Sequence, residues 1–246
     1  MCGRYVIETF EELGERMTHL PVHLNLPLHP TWNAAPSQIL PVLVESADEE
    51  SLELTGMSWG LVPRWTKPGE KPKIAPINAR SETLTQKPMF RSLVKRNRCI
   101  VPANGFYEWK REEGAKGPKQ PYFIHLRDEP MMFFAGLHDE ATKADGSPLA
   151  SYTIITTHAN AAMAGLHDRM PVIIPPDEVE HWLSRSETDF DALDYLLEPV
   201  ADDAIEIYPV SKAVNSPSNN TPDLIEPLDD EDGGDAGDAG DAGTPT

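Results

Sequence analysis

Hydrophobic and polar positions alternate with a period of two over much of the chain, as they do in half-buried β-strands. This pattern predicts strands at residues 4–8, 39–45, 52–59, 98–101, 106–110, 122–126, 131–136, 152–156 and 204–210. A helical period is found at residues 10–20, 87–96, 159–164, 176–184 and 189–197. Strands outnumber helices, and short polar turns such as residues 127–130 join several of them. We therefore predict an α+β fold, a mainly antiparallel β-sheet or barrel with packed helices.

The composition of the chain changes near residue 215. No Gly-, Ser- or Pro-rich linker divides residues 1–214, so we predict one domain over that range. From residue 215 to 246, Ser, Pro, Asn and acidic residues dominate, and the chain ends in Gly-Asp-Ala repeats. Such a segment buries too little apolar surface to fold, which predicts a disordered acidic C-terminal tail over residues 215–246.

The overall composition is that of a globular protein, with 39% hydrophobic residues. We find no signal peptide, membrane-spanning segment or lipidation signal, and we expect a cytoplasmic protein with no membrane partner. Two cysteines give no disulfide framework or zinc motif, and Cys99 is expected to be a buried hydrophobe. Because neither GxGxxG nor GxxxxGK[ST] occurs, a nucleotide cofactor has no support, and we expect no cofactor and no metal.

Charge is distributed unevenly along the chain. The formal net charge is −19, which taken alone argues against a polyanionic partner. Residues 213–246 carry nine acids and no Lys or Arg, however, whereas residues 64–119 carry fourteen of the 21 basic residues against five acids. This basic band, residues 64–119, is compatible with binding to phosphates.

The residue behind the initiator methionine is Cys2. Removal of Met1 would leave a thiol and a free α-amine on one residue, with ordinary pKa values near about 8.5 and about 7.7–8.0. Such a 1,2-aminothiol can form an imine with an aldehyde and close through sulfur to a thiazolidine, or act as an N-terminal nucleophile. A terminus of this kind is often disordered, but the strand predicted at residues 4–8 would hold Cys2 in place.

Three further segments combine polar residues with rigid neighbours. Taken singly, Asn78 is expected in a turn or cap, Glu108 on a solvent-facing strand position, and His167 at the surface before a proline-ended loop. Alternation places Glu108 on the same strand face as Phe106. A carboxyl group beside an aromatic ring is partly desolvated, which favours its protonated form and suits a general acid.

Together these segments resemble the SOS-response-associated peptidase (SRAP) family, whose members shield abasic sites. The resemblance extends from Cys2 to about Val210 and rests on six runs in order. They are Cys2-Gly3-Arg4-Tyr5, Asn33-Ala34-Ala35-Pro36, Trp59-Gly60-Leu61-Val62-Pro63-Arg64-Trp65, Asn78-Ala79-Arg80-Ser81-Glu82-Thr83, Gly105-Phe106-Tyr107-Glu108-Trp109 and His167-Asp168-Arg169-Met170-Pro171.

The resemblance implies a protein of the DNA damage and SOS responses. It would lose Met1, bind single-stranded DNA containing abasic sites, and cross-link Cys2 to the abasic-site aldehyde as a thiazolidine. Asn78 would align the amine with the sugar, Glu108 would transfer protons, and His167 would help to open the deoxyribose ring. While bound to DNA, the protein would be associated with the nucleoid.

Contacts to DNA are also expected from the resemblance. It implies that Arg4, Arg80 and Arg169 bind the phosphates beside the lesion, and Thr156 completes these candidate contacts. Trp59, Trp65 and Trp109 are candidates for stacking on unpaired bases, although core packing is the default for any one tryptophan.

Two other functions are consistent with part of the sequence. An N-terminal-nucleophile amidotransferase or hydrolase would use Cys2 against an amide, but it leaves the other five runs unexplained. A non-catalytic binder of single strands would use the basic band and the aromatic residues alone. The sequence leaves open whether Met1 removal is autocatalytic, whether lyase activity accompanies cross-linking, and which protein partners and oligomeric state apply.

Overall fold

The protein is described by a computed structural model over residues 2–8, 18–70, 72–110 and 118–228. Its strands are β1 (Tyr5–Ile7), β2 (Val22–Leu24), β3 (Thr31–Ala34), β4 (Ile39–Glu45), β5 (Leu52–Trp59), β6 (Asn78–Arg80), β7 (Arg98–Ala103), β8 (Gly105–Lys110), β9 (Gln120–Leu126), β10 (Met132–Thr142), β11 (Pro148–His158), β12 (Arg169–Pro171) and β13 (Ile205–Pro209). The α-helices are α1 (Ala161–Ala164) and α2 (Val179–Leu183). Short 3₁₀ helices lie at Ser81–Thr83, Pro176–Glu178, Phe190–Leu197, Asp202–Ala204, Lys212–Asn215 and Pro222–Ile225.

The strands form two sheets. The larger sheet has the order β12-β11-β10-β7-β4-β5-β2, and β5 also pairs in parallel with β11. This extra pairing closes β11, β10, β7, β4 and β5 into a five-stranded barrel, and β6 adds to β11. The smaller sheet, β13-β9-β8-β1-β3, is antiparallel at each pairing. The predicted mainly antiparallel, barrel-like α+β fold is confirmed.

Alternate residues of the barrel strands enter different hydrophobic clusters, as the period of two predicts. On β7, Cys99 and Val101 belong to one cluster, whereas Ile100 belongs to another that contains Trp182 of α2. The first of these clusters also receives side chains from the smaller sheet, among them Phe106. The two sheets therefore pack on each other, and Cys99 is the buried hydrophobe that the sequence predicts.

Some predicted elements differ in the structure. Residues 87–96 form successive turns with mixed hydrogen-bond spacings, Phe90 N to Lys87 O and Arg91 N to Lys87 O, instead of a continuous helix. The segment 189–197 is largely a 3₁₀ helix. Short strands β2, β3, β6 and β12 were not expected, because three or four residues carry too little periodic signal. The helix predicted at residues 10–20 falls mostly outside the described residues.

The domain boundary expected at Val214 lies too early. Residues 215–228 pack onto the smaller sheet, with a β-bridge between Val210 and Pro227 and a 3₁₀ helix at Pro222–Ile225. Leu224 is fully buried in a cluster with Val6 and Tyr107. Composition alone missed this because one buried leucine anchors an otherwise polar segment. The rest of the predicted tail, residues 229–246, lies outside the described part of the chain.

The described residues contain neither a helix suited to a membrane nor a cluster of metal-ligating side chains. No helix in them is of the length and apolar character that crossing a membrane requires. Within the same residues, His, Cys, Asp and Glu side chains do not come together in threes as metal ligands would.

Candidate active site

Cys2 is held at the start of the smaller sheet. Three residues further on, Tyr5 of β1 pairs with Ala34 of β3 on one side and Phe106 of β8 on the other. The Cys2 side chain is completely buried, and its thiol lies 3.8 Å from the carbonyl oxygen of Arg4. The expectation that a strand anchors this terminus is confirmed.

Asn78 reaches Cys2 from the other sheet. It begins β6, which runs parallel to β11 with Asn78 beside Ile154, so its expected place in a turn or cap was wrong. Its side-chain Nδ2 donates a hydrogen bond of 2.9 Å to the carbonyl oxygen of Cys2. The amide Oδ1 is buried and accepts no hydrogen bond from the described residues, so it is available to a ligand.

Glu108 lies close to the Cys2 thiol. It is 5% exposed, and Phe106 on the same strand face belongs to the hydrophobic cluster of Cys2, whereas Tyr107 belongs to another. The predicted alternation along β8 is therefore confirmed, but the solvent-facing position expected for Glu108 alone was wrong. Burial, and secondly the negative charge of Glu108, raise the pKa of the Cys2 thiol. In the folded protein the thiol is therefore protonated near neutral pH.

A glycine allows β8 to reach this position. A Cβ atom at Gly105 would lie 2.3 Å from the ring of Phe123 and 2.7 Å from the carbonyl oxygen of Ile124. Only a residue without a side chain lets β8 approach β9 this closely. Gly105 also pairs with Val6 of β1. The glycine of this run therefore helps to place Glu108 and β1.

His167 lies between α1 and β12 with its ring partly accessible. Its side chain is 27% exposed, and Nδ1 lies 2.9 Å from the Asp168 carboxylate. The backbone N–H of Arg169 also donates to Nδ1, at 3.0 Å. These contacts fix the direction of the imidazole ring.

Three predicted DNA contacts lie on adjacent strands. Thr156 of β11 pairs with Arg80 of β6. Two residues further along β11, His158 pairs with Arg169 of β12. Arg80 is exposed, whereas Thr156 and Arg169 are buried. Thr156 Oγ1 and Arg169 Nε are buried polar atoms that make no hydrogen bond to the described residues.

Sequence reasoning missed the partner of Arg169. Both terminal nitrogens of its guanidinium donate to the carboxylate of Glu82, and Nη2 also donates to the carbonyl of Thr156. Hydrogen bonding to Arg169 lowers the pKa of the Glu82 carboxyl. Glu82 follows Arg80 in a run already singled out, but nothing in the spacing indicates that it would meet a residue 87 positions away.

Arg4 is also engaged within the protein. Its Nη1 donates to the side-chain oxygen of Asn33 at 2.8 Å and to the carbonyl of Val214 at 3.1 Å. Burial lowers the pKa of Arg4 from its ordinary value. These contacts account for Arg4 without a phosphate.

The three candidate tryptophans differ in exposure. Trp59 is 1% exposed, donates to the carbonyl of Ile77 at 3.0 Å and stacks on Tyr152, so it is a core residue and cannot stack on a base. Trp109 is partly buried, and its indole N–H donates to Asn215 Oδ1 at 2.6 Å. Trp65 is 56% exposed. Of the three, Trp65 has the position that stacking on a ligand requires.

A surface groove leads away from Asn78. One part, of about 530 Å³, is lined by Trp65, Ile74, Asn78, Arg80 and Lys87, together with Pro76, Ala79, Pro88, Met89 and Phe90. A second part of about 340 Å³ shares Trp65, Ile74 and Met89 and adds Lys67 and Lys73. Exposed cations and apolar surface thus lie together within the basic band.

One member of the basic band has a structural role instead. Arg98 is buried and donates hydrogen bonds to the backbone carbonyls of Trp182 at 2.6 Å, Val94 at 2.6 Å, Lys95 at 2.9 Å and Glu187 at 3.0 Å, and to that of Ser184. Burial lowers its pKa to about 10. Arg98 joins β7 to the segment after α2 and does not face solvent.

Comparison with known proteins places this geometry in a family. Residues 1–217 match the family model described as SOS response associated peptidase (SRAP). The chain is 42% identical over 229 residues to the abasic site processing protein YoqW of Bacillus subtilis, covering 92% of this chain and 99% of that one. It is 35% identical to the abasic site processing protein HMCES of Xenopus tropicalis, covering 80% of this chain and 65% of that one.

Solved structures agree with the sequence relatives. A protein from Bacteroides thetaiotaomicron superimposes with a TM-score of 0.69 at 28% identity, covering 80% of this chain and 85% of that one. A phage-related protein from Bordetella bronchiseptica also gives a TM-score of 0.69 at 28% identity, covering 86% and 95% of the two chains. The chain belongs to the SOS response associated peptidase family.

Proposed function

We propose that this protein processes abasic sites by binding single-stranded DNA and forming a covalent cross-link between Cys2 and the abasic-site aldehyde. The observation that carries the proposal is the meeting of Cys2, Asn78 and Glu108, residues from three distant runs, at one end of a cationic groove. Relatives over nearly the whole chain bear the name abasic site processing protein. An aldehyde-bearing nucleic acid is the substrate that suits both the aminothiol and the groove.

The cross-link forms in two steps once Met1 has been removed. The α-amine of Cys2 adds to the aldehyde carbon of the ring-opened sugar, and the carbinolamine loses water to give an imine. The thiol then adds to the imine carbon, and its proton passes to nitrogen. The product is a thiazolidine with new C–N and C–S bonds, one water is released, and no oxidant or reductant is needed.

The raised pKa of the thiol sets the order of these steps. Because burial and Glu108 keep the Cys2 sulfur protonated, the amine is the first nucleophile and sulfur attacks only after the imine has formed. Glu108 is the base for the thiol proton and the acid for departing water. Asn78 holds the Cys2 backbone and offers its free Oδ1 to the amine or the sugar.

Ring opening of the closed sugar needs an acid at the ring oxygen. His167 is proposed for this role because its imidazole is partly accessible and is held in direction at Nδ1 by the Arg169 backbone N–H and the Asp168 carboxylate. The same acid can return a proton if the cross-link reverses. An imine at the abasic carbon also permits β-elimination, so lyase activity is expected beside cross-linking.

The strand of DNA is proposed to follow the groove. Arg80 lies at its wall, and Arg169 and Thr156 lie on the neighbouring strands with unused polar atoms. Arg80 is exposed and offers the accessible phosphate contact, whereas Thr156 and Arg169 are buried and reach a phosphate only if DNA binding uncovers them. Trp65 is placed to stack on a base. Trp109 is a further candidate once its contact with Asn215 is broken.

A denaturing-gel assay with a single-stranded oligonucleotide containing one abasic site tests this function. The wild-type protein is expected to shift covalently, and Cys2→Ala to bind without a covalent shift. An intact strand lacking the lesion is the matched DNA control. Covalent capture by Cys2→Ala, or release of ammonia from glutamine without any cross-link, would reject the proposal and favour an amidotransferase.

A further inference from the structure

Asn33 of β3 is hydrogen-bonded to the segment at residues 214–220, which spans the end of the family match at residue 217. Its side-chain Nδ2 lies within hydrogen-bonding distance of the carbonyl oxygens of Val214 at 3.2 Å, Ser216 at 3.0 Å and Asn219 at 2.8 Å. In return, Asn220 Oδ1 accepts the backbone N–H groups of Trp32 at 2.7 Å and Asn33 at 3.1 Å. Asn33 is 1% exposed, and its bond to the Val214 carbonyl is buried, whereas the bond from Trp32 N–H to Asn220 lies at the surface.

The same amide group is connected to the nucleophile. Asn33 Oδ1 accepts from Nη1 of Arg4, and the carbonyl of Arg4 in turn receives the Tyr107 N–H at 3.0 Å and the Cys2 thiol at 3.8 Å. The next residue along each strand, Ala34 and Tyr5, form a register pair of β3 and β1. Cys2 is thus linked through Arg4 and Asn33 to residues 214–220.

We infer that Asn33 is a positioning residue for Cys2 and that residues 214–220 form the clamp that holds it. A strand of three residues at a chain terminus frays unless it is tied down. The clamp ties it by fixing the Arg4 guanidinium through Nη1, so Arg4 acts as a strut between Asn33 and the terminus. Only the expected change in cross-linking rate rests on the proposed function, because the hold of the clamp on residues 4–8 does not depend on DNA.

The residue type at position 33 follows from the hydrogen bonds. An amide side chain presents an acceptor and an NH₂ group together, which is what Arg4 on one side and backbone carbonyls on the other require. An aspartate would accept from Arg4 but would face the carbonyls with negative charge, and an alanine would satisfy neither. Asn33→Asp is therefore expected to behave like Asn33→Ala, despite its nearly equal size.

Single-turnover cross-linking with the full chain tests the inference. For Asn33→Ala, the maximal cross-linking rate is expected to fall about 10- to 100-fold, while the DNA concentration at half-maximal rate stays within about twofold. Without DNA, amide hydrogen exchange at residues 4–8 is expected to accelerate. Leu193→Ala, which truncates a buried side chain of the Trp182 cluster, is the control for general loss of stability and should change neither readout.

A milder pair keeps the test valid if Asn33→Ala does not fold. Asn220 is exposed, and Asn220→Ala removes the acceptor for two backbone N–H groups, whereas Asn220→Asp retains it. The alanine variant should exchange faster at residues 4–8 and the aspartate variant should match wild type. Unchanged exchange in Asn220→Ala and in any folded Asn33 variant would overturn the inference. If wild type fails to cross-link at all, the proposed function falls, and the exchange result still decides the clamp.

Discussion

The side-chain amide of Asn78 donates a 2.9 Å hydrogen bond to the carbonyl oxygen of Cys2, across 76 positions of sequence. This contact joins β6, which adds to the barrel, to Cys2, which lies three residues before the start of β1 in the other sheet. A nucleophile at a chain terminus has few covalent restraints, so a bond from a paired strand defines where its amine and thiol lie. In the proposed function, this bond would preorganise Cys2 for reaction once Met1 is removed.

Removing this bond should impair chemistry more than binding. Asn78→Ala is expected to reduce the maximal cross-linking rate about 10- to 100-fold, because misalignment of the reacting groups raises the barrier. Asn78→Asp should be at least as damaging, since it sets a carboxylate against the Cys2 carbonyl. Cross-linking rate against DNA concentration measures both. A change confined to the half-saturating DNA concentration would contradict this role.

Substitution of Glu108 should raise the reactivity of the Cys2 thiol toward an alkylating reagent and lower the rate of cross-linking. Its negative charge raises the pKa of Cys2, so Glu108→Gln lowers that pKa and increases the thiolate fraction at a given pH. Alkylation of Cys2 by iodoacetamide, measured in a Cys99→Ala background, should become faster, whereas cross-linking should slow because the proton acceptor is lost. Slower alkylation in Glu108→Gln would contradict the claim that the Glu108 charge raises the pKa of the Cys2 thiol.

The pH profile of cross-linking follows from the same shift. Since the thiol pKa lies above its ordinary value, the cross-linking rate of wild type is expected to rise from about pH 7 to about pH 9 without reaching a plateau. Initial rates at constant ionic strength measure the profile. A plateau reached below about pH 8 would mean that the thiol ionises more readily than its burial implies.

Trp65 and Trp59 should respond to substitution in different assays. Trp65→Ala removes an exposed ring from the groove and is expected to weaken single-strand binding by about 1–3 kcal/mol, with little change in the melting temperature. Trp59→Phe removes one of the two hydrogen bonds that the Ile77 carbonyl accepts, and the Ile154 N–H still donates to it, so stability should fall by about 0.5–1.5 kcal/mol without a direct effect on affinity. Fluorescence anisotropy and thermal unfolding separate the two.

The Arg98 guanidinium should prove essential for folding and not for DNA binding. Arg98→Ala deprives several buried carbonyls of their donor, and each unmet carbonyl costs about 1–3 kcal/mol. We expect a loss of at least about 3 kcal/mol in the free energy of unfolding, measured by urea denaturation. Lys95→Ala, at an exposed position of the same band, is the matched control and should be nearly neutral.

Sequence patterns predicted the elements whose signal is local. The strands at residues 39–45 and 52–59 have the expected bounds because the first is a nearly continuous apolar run of seven residues and the second alternates over much of its eight residues. The alternation of Phe106 and Tyr107 likewise placed Glu108 on the Cys2 side of β8. In contrast, β6 has only three residues, and its place beside β11 depends on a pairing 76 positions away. A pairing of that kind leaves no periodic signal.

The sequence runs named candidate site residues but gave no information on their tertiary contacts. The six runs identified Cys2, Asn78, Glu108 and His167, whereas the Glu82–Arg169 pair and the Asn33 clamp depend on tertiary geometry. Trp59 was misassigned because the exposure of a tryptophan cannot be deduced from its neighbours in the sequence. Packing of residues 215–228 was missed for a similar reason, since the burial of Leu224 has no compositional signature.

The proposed function requires the terminal amine and the sulfur of Cys2 to capture one sugar aldehyde together. Intact-mass spectrometry of the protein, after incubation with a single-stranded oligonucleotide bearing one abasic site, detects this joint capture. We expect a species whose mass equals the protein without Met1 plus the oligonucleotide minus one water, and no such species for Cys2→Ala. An adduct on protein that still carries Met1 would contradict it.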